Sequence, residues 1–140
     1  MFPGTFALAF AAAFSGAALY VIWVEQPARM ALDEEALLSE WAPSDRRGVA
    51  LLAALALISA LAGILTYFET QDVRWAIGAL VIVSSWPYIF FAMAPLNNQI
   101  LSLRGNDVAA ARALVRQWGF VESGLAAIGI VAVAVFLWAI

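Results

Sequence analysis

The sequence predicts an all-α protein: a four-transmembrane-helix antiparallel bundle whose helices extend beyond the membrane on the cytoplasmic side. Three observations predict it. Hydrophobic residues make up 65% of the 140-residue chain and charged residues only 12%, about half the charge of an ordinary soluble domain. A water-soluble fold of this length would bury only about two-thirds of its surface and would wear the remaining apolar residues as large patches. The mean hydropathy of +0.92 points the same way. Next, four apolar segments, Pro3–Val24, Gly48–Phe68, Trp75–Pro95 and Gly119–Ile140, each reach the about 20 residues that a helix needs to cross a bilayer. Finally, no stretch shows the period-two alternation of a half-buried strand.

Taken in order, the first segment predicts a helix at about 3–24. It lacks the basic n-region of a signal peptide and its apolar run is too long for one, so it reads as a retained span. Pro27 suits a first turn or a kink. After it an amphipathic helix is expected at about 28–41, with Met30, Leu37, Leu38 and Trp41 apolar and Asp33-Glu34-Glu35 on a solvated face. Pro43 should end that element, and Ser44-Asp45 should cap a second long helix at about 45–68. Thr70 with Asp72 caps a third, at about 72–102. Within it Pro87 predicts a kink whose freed carbonyl Ser84 or Ser85 helps to satisfy. Arg104-Gly105-Asn106-Asp107 reads as a helix stop and a new cap, with Gly105 left-handed, before a fourth helix at about 107–140. Gly16, Gly63, Gly78, Gly124 and Gly129 suit close helix packing. The whole chain, 1–140, is then one membrane domain.

Orientation follows from the arginines. Arg29, Arg46, Arg47, Arg104, Arg112 and Arg116 fall in the two long connections, whereas Arg74 alone falls on the other side. The expectation is a protein integral to the membrane, of the bacterial inner-membrane kind, with both termini on the non-cytoplasmic side.

Absences narrow the chemistry. With no histidine, cysteine or lysine, disulfides, thiolate nucleophiles, the usual zinc sites, histidine-ligated haem and Glu-x-x-His di-iron centres are excluded. No phosphate-binding glycine loop and no basic aromatic surface is present, so neither metal nor other cofactor nor nucleic acid is expected. What remains is a set of polar residues near the bilayer. Glu122 is the one charge inside the four segments, and ionisable residues placed there are functional candidates by default. Glu25 and Arg29 stand four apart and pair on a continuous helix, although Pro27 perturbs the turn between them. Asn97-Asn98 follows Pro95 at a matching depth. A bundle brings Glu25, Asn97, Asn98, Trp118 and Glu122 toward one polar pocket, with Glu25 and Glu122 as carboxylates suited to general-base work. Plainer roles stand beside this. The arginines serve as positive-inside anchors, Trp23, Trp41, Trp75 and Trp118 as an interfacial belt, and the asparagines as partners for carbonyls freed by Pro95.

Ser15-Gly16-Ala17-Ala18-Leu19-Tyr20, Val24-Glu25-Gln26-Pro27-Ala28-Arg29, and Trp41 and Ser44 with Arg46-Arg47 resemble the first half of the anthrone oxygenase-like membrane proteins. These are small four-helix proteins long filed as a domain of unknown function. Ala94-Pro95-Leu96-Asn97-Asn98-Gln99-Ile100-Leu101 resembles the family's Pro-x-Asn motif, and Trp118 opens the fourth helix in the family manner. The sequence departs from the family at Glu122 and Leu125, where a histidine and an arginine are common. The resemblance implies a cofactor-independent oxygenase, or a binder of a flat hydrophobic molecule, working at the cytoplasmic membrane boundary. It makes Glu122 or Glu25 the catalytic base, Asn97 or Asn98 a hydrogen-bond donor and Trp118 a stacking wall, with Arg29 and Tyr20 as further substrate-binding residues. The alternative is a non-catalytic accessory subunit of a larger membrane complex or homo-oligomer. Expected partners are thus the lipid bilayer and either a hydrophobic small molecule, a membrane-complex partner or a second copy. A small transporter is a weaker third reading, since the spans hold a single charge and no inverted repeat.

Overall fold

The computed structural model describes residues 2–103 and 108–140; the expected stop and cap at Arg104–Asp107 lie outside them. Four long helices form the molecule: α1 (Pro3–Met30), α2 (Glu34–Thr70), α3 (Val73–Leu101) and α4 (Ala111–Ala139). A single 3₁₀ turn, Val108–Ala110, leads into α4. Each helix is long and apolar enough to cross a membrane, and within its most apolar stretch only 28–33% of residues are buried inside the bundle. Many others, among them Phe90, Phe91 and Phe120, are exposed on the outside of the bundle, as lipid-facing residues are. The protein is a helical membrane protein.

In the bundle, α1 lies between α2 and α4, and α3 lies between the same two helices, so α1–α3 and α2–α4 are diagonals. Small residues allow the close approach. Ala7, Ala11 and Ala18 of α1 and Ala56 of α2 are fully buried, and the Ser59 hydroxyl donates across to the Ala7 carbonyl at 2.7 Å. Near the termini Phe136 of α4 stacks on Trp75 of α3 with ring centroids 5.6 Å apart. Gly78 makes room for it, because a Cβ there would stand 2.4 Å from Phe136 Cε1. Gly78→Ala is expected to cost about 1–3 kcal/mol through overpacking, read as a lower melting temperature in detergent. Gly16→Ala is the control: a Cβ at Gly16 meets nothing within 4 Å, so this glycine does not serve the close packing expected of it.

Two elements differ from the sequence expectation. The amphipathic segment is not one helix: α1 runs through Pro27 to Met30, and a new helix starts after Asp33, whose carboxylate accepts from the Ala36 N–H at 2.8 Å. From there α2 continues through Pro43 to Thr70, so Ser44-Asp45 is not a cap. Pro43 removes one N–H from the helical ladder without ending it, and both Pro43 and Ser39, one turn before it, line an open groove. At the far end of α2 the expected caps form. Asp72 accepts from the Arg74 N–H at 3.0 Å, after a left-handed Gln71 with φ 57°. The hydrogen bonds from Arg74 hold the Asp72 carboxyl below its usual range, and Arg74 Nη1 also reaches the Trp138 carbonyl at 2.7 Å.

The third helix pauses at Ser84, before Pro87; Ser84 and Ser85 bond back to the Val81 and Ile82 carbonyls. More telling are two π-helical turns, Val21–Glu25 and Ile89–Met93. Each is followed, two residues past its end, by a proline, Pro27 or Pro95. The widened turn absorbs one extra residue and turns the chain after it. In both helices the residue two beyond the proline, Arg29 or Asn97, points at a carboxylate of α2. The tryptophans depart from a simple belt. Trp23 is 70% exposed, whereas Trp41, Trp75 and Trp118 are buried in the core.

Candidate polar site at the arginine-rich end

Arg29 is 2% exposed and organises this end of the bundle. The π turn and Pro27 bring it inward from α1, one turn after Glu25. Its Nη2 donates to Glu25 Oε2 at 3.1 Å and to Ser44 Oγ at 3.1 Å, and its Nε forms an ion pair with Glu40 Oε2 at 2.8 Å. Ser44 in turn donates to Glu25 Oε2 at 2.7 Å. The guanidinium lies over the Trp118 ring, 5.1 Å from its centroid, and Trp41 meets Trp118 edge-on at 6.0 Å. Gln26 fixes α1 to α4 by donating to the Val115 carbonyl at 2.9 Å; Gly119 leaves the space it occupies. Arg112 of α4 closes the α1–α2 turn, pairing with Glu34 at 3.0 Å and donating to the Met30 and Leu32 carbonyls.

On the other flank, Asn97 Nδ2 donates to Asp45 Oδ2 at 3.1 Å, and the Asp45 carboxyl lies against the Trp118 indole. Glu122, one turn beyond Trp118 on α4, is 2% exposed. Its Oε2 finds no hydrogen-bond partner among the described residues. The Tyr88 hydroxyl donates to the neighbouring Val121 carbonyl at 2.5 Å and fixes α3 against this part of α4.

Three hollows run through this constellation. A groove of about 600 Å³ opens between α2 and α3, lined by the polar Asp45 and Arg46 of α2 and Asn97 and Asn98 of α3, with Ala42, Val49, Ile89, Ala94 and Leu101 supplying apolar wall. Behind Asp45 is a small pocket of about 10 Å³ shared by Arg29, Ser44, Asp45, Trp118 and Glu122. Beyond Arg29 a third hollow, about 270 Å³, is lined by Glu25, Ala28, Arg29, Leu32 and Glu40. Asp45 thus borders both the groove and the small pocket, and Arg29 borders the small pocket and the outer hollow.

Of the residues expected to form a site, Glu25, Arg29, Trp118 and Glu122 come together with Asn97 through Asp45. Asn98 stands on the groove wall, not in the cluster. Tyr20 is 55% exposed and lines none of these three hollows, so its expected place in the pocket is corrected: its side of α1 faces outward. Glu40, Ser44 and Asp45 belong to the constellation and were not among the expected site residues. Their signal lies in α2 read as continuous helix, where Trp41, Ser44, Asp45 and Gly48 share one face. Among the described residues no three carboxylates converge as a metal cage.

The family model for anthrone oxygenase matches residues 41–135. The match takes in Trp41, Ser44, Asp45, Asn97, Trp118 and Glu122, and leaves Glu25 and Arg29 outside. Searches of curated proteins and of solved structures return no match.

Proposed function

The chain belongs to the anthrone oxygenase family, and from that premise we propose that it binds a flat hydrophobic molecule of the anthrone class in the α2–α3 groove and oxidises it without a cofactor. One observation carries the reading. The groove is of ligand size, it is largely apolar, and a carboxylate, Asp45, stands in its wall with a hydrogen-bond donor, Asn97, at 3.1 Å. Asp45 takes a proton from the acidic methylene of the ligand. The carbanion then combines with dioxygen, and the hydroperoxide loses water to leave a ketone. One O₂ is consumed and one water released for each CH₂ converted to C=O. Asp45 takes here the role expected of Glu25 and Glu122, since Glu25 is held by Arg29 and Ser44 and Glu122 lies behind Asp45 in the small pocket.

The test uses the protein in nanodiscs with a hydroxylated anthrone. Quenching of tryptophan fluorescence should report saturable binding, and oxygen uptake should match ketone formed one to one. Absence of both binding and uptake would sink the proposal. The arginine distribution supports a cytoplasmic position for this end of the bundle. A reporter fused after Ile140 should accordingly be active only if it works outside the cytoplasm, and cytoplasmic activity would reverse the topology.

A further inference from the structure

Asp45 has to dispose of the proton it takes, and the buried cluster offers a route. The 10 Å³ pocket behind it is about the space of one water, and its walls carry the groups such a water needs: the Asp45 carboxyl, the unpartnered Glu122 Oε2 and the Ser44 hydroxyl. From Ser44 the path continues without a gap, because its hydroxyl donates to Glu25 Oε2 at 2.7 Å. Glu25 then borders the outer hollow, and its side chain is 30% exposed. Arg29 touches both Ser44 and Glu25 and fixes the geometry of the last link.

We propose that a single water bound between Asp45, Glu122 and Ser44 joins Ser44 and Glu25 into a proton relay from the groove to the outer hollow. This rests on the reading of the groove as the site of proton abstraction. In the outward direction the water accepts the Asp45 proton and passes one of its own to Ser44, while the Ser44 proton moves to Glu25 and leaves from there to solvent. Every atom in the chain ends with the proton count it began with, and the carboxylate of Asp45 is restored. The reverse sequence returns the proton needed when the hydroperoxide forms. Glu122 is a relay residue only through the water: its Oε2 accepts from it and keeps it oriented.

The relay is tested without turnover, in oxygen-free D₂O, by following deuterium uptake at the anthrone methylene by NMR with the protein in nanodiscs. The wild type should exchange faster than the protein-free control. Ser44→Ala should slow that catalysed exchange about tenfold or more while leaving ligand affinity unchanged, and Ser44→Thr should restore it. Glu25→Gln keeps an acceptor for the Ser44 hydroxyl but takes no proton from it, so it should show the same slowing. Exchange at the wild-type rate in either folded variant overturns the relay and leaves the site reading standing. A wild type that binds the anthrone but adds nothing to its exchange overturns both.

Discussion

Arg29→Leu should unfold the arginine-rich end of the bundle and lower the stability of the whole protein by about 3 kcal/mol. Removing one member of a buried ion pair strands the other charges, at about 3–5 kcal/mol for fully buried pairs. Here Arg29 is 1% exposed at its side chain, while Glu25 and Glu40 are 30% and 38% exposed. The stranded carboxylates therefore recover part of their hydration, which places the loss at the lower edge of that range. The contact with the Trp118 face is lost as well, worth about 0.5–2 kcal/mol, and so is the hydrogen bond to Ser44. Leucine fills some of the volume but supplies no donor. Arg29→Lys should recover less than half of the loss, because an ammonium cannot meet Glu25, Glu40 and Ser44 from the fixed directions of a guanidinium while lying flat on an indole. Unfolding in mild detergent followed by circular dichroism measures it. A Leu variant that melts like the wild type would show that this cluster contributes nothing to stability.

How this cluster arises explains what could be read in advance and what could not. The four spans follow from composition, and the Glu25–Arg29 pair follows from a spacing of four, since a π turn before Pro27 leaves that turn of helix intact. Asn97 also follows from its place after a proline. The 68-residue offset that carries Pro27 onto Pro95 carries Arg29 onto Asn97, and the two π turns keep the same register before their prolines. The two halves thus use one device twice, to send a donor from α1 or α3 toward α2. Asp45 was hidden because Ser-Asp after a proline has the pattern of an N-cap. Whether Pro43 ends a helix depends on what surrounds the carbonyl it leaves free, and that is a tertiary fact. The tryptophans were ambiguous for a related reason. A position near the end of a span fixes a residue's depth but not its direction, and only the packed neighbours decide that Trp118 turns inward to meet Arg29 and Trp41 to meet Trp118, while Trp23 turns outward.

The second large effect should fall on turnover. Asp45→Asn preserves the shape of the groove wall: the new amide oxygen still accepts from Asn97, and the side chain keeps its volume beside Trp118. It removes only the capacity to take a proton. Loss of a positioned general base costs typically 10²–10⁴-fold in rate, so ketone formation should fall by about that factor while the dissociation constant for the anthrone moves by less than about threefold. Asn97→Ala should act in the same direction but less. It removes the donor that orients Asp45, and it should lower the rate about tenfold without abolishing it, since the carboxylate remains. Glu122→Gln separates the two carboxylates: if Glu122 were the base, its loss would match that of Asp45→Asn. With Glu122 behind the groove wall and Asp45 in it, the Gln variant should retain most of its rate with the ligand saturating. Oxygen uptake by the three variants, each at matched occupancy, decides between them. Equal loss in Asp45→Asn and Glu122→Gln would move the base into the small pocket behind the groove wall and would force a different entry for the substrate than the α2–α3 groove.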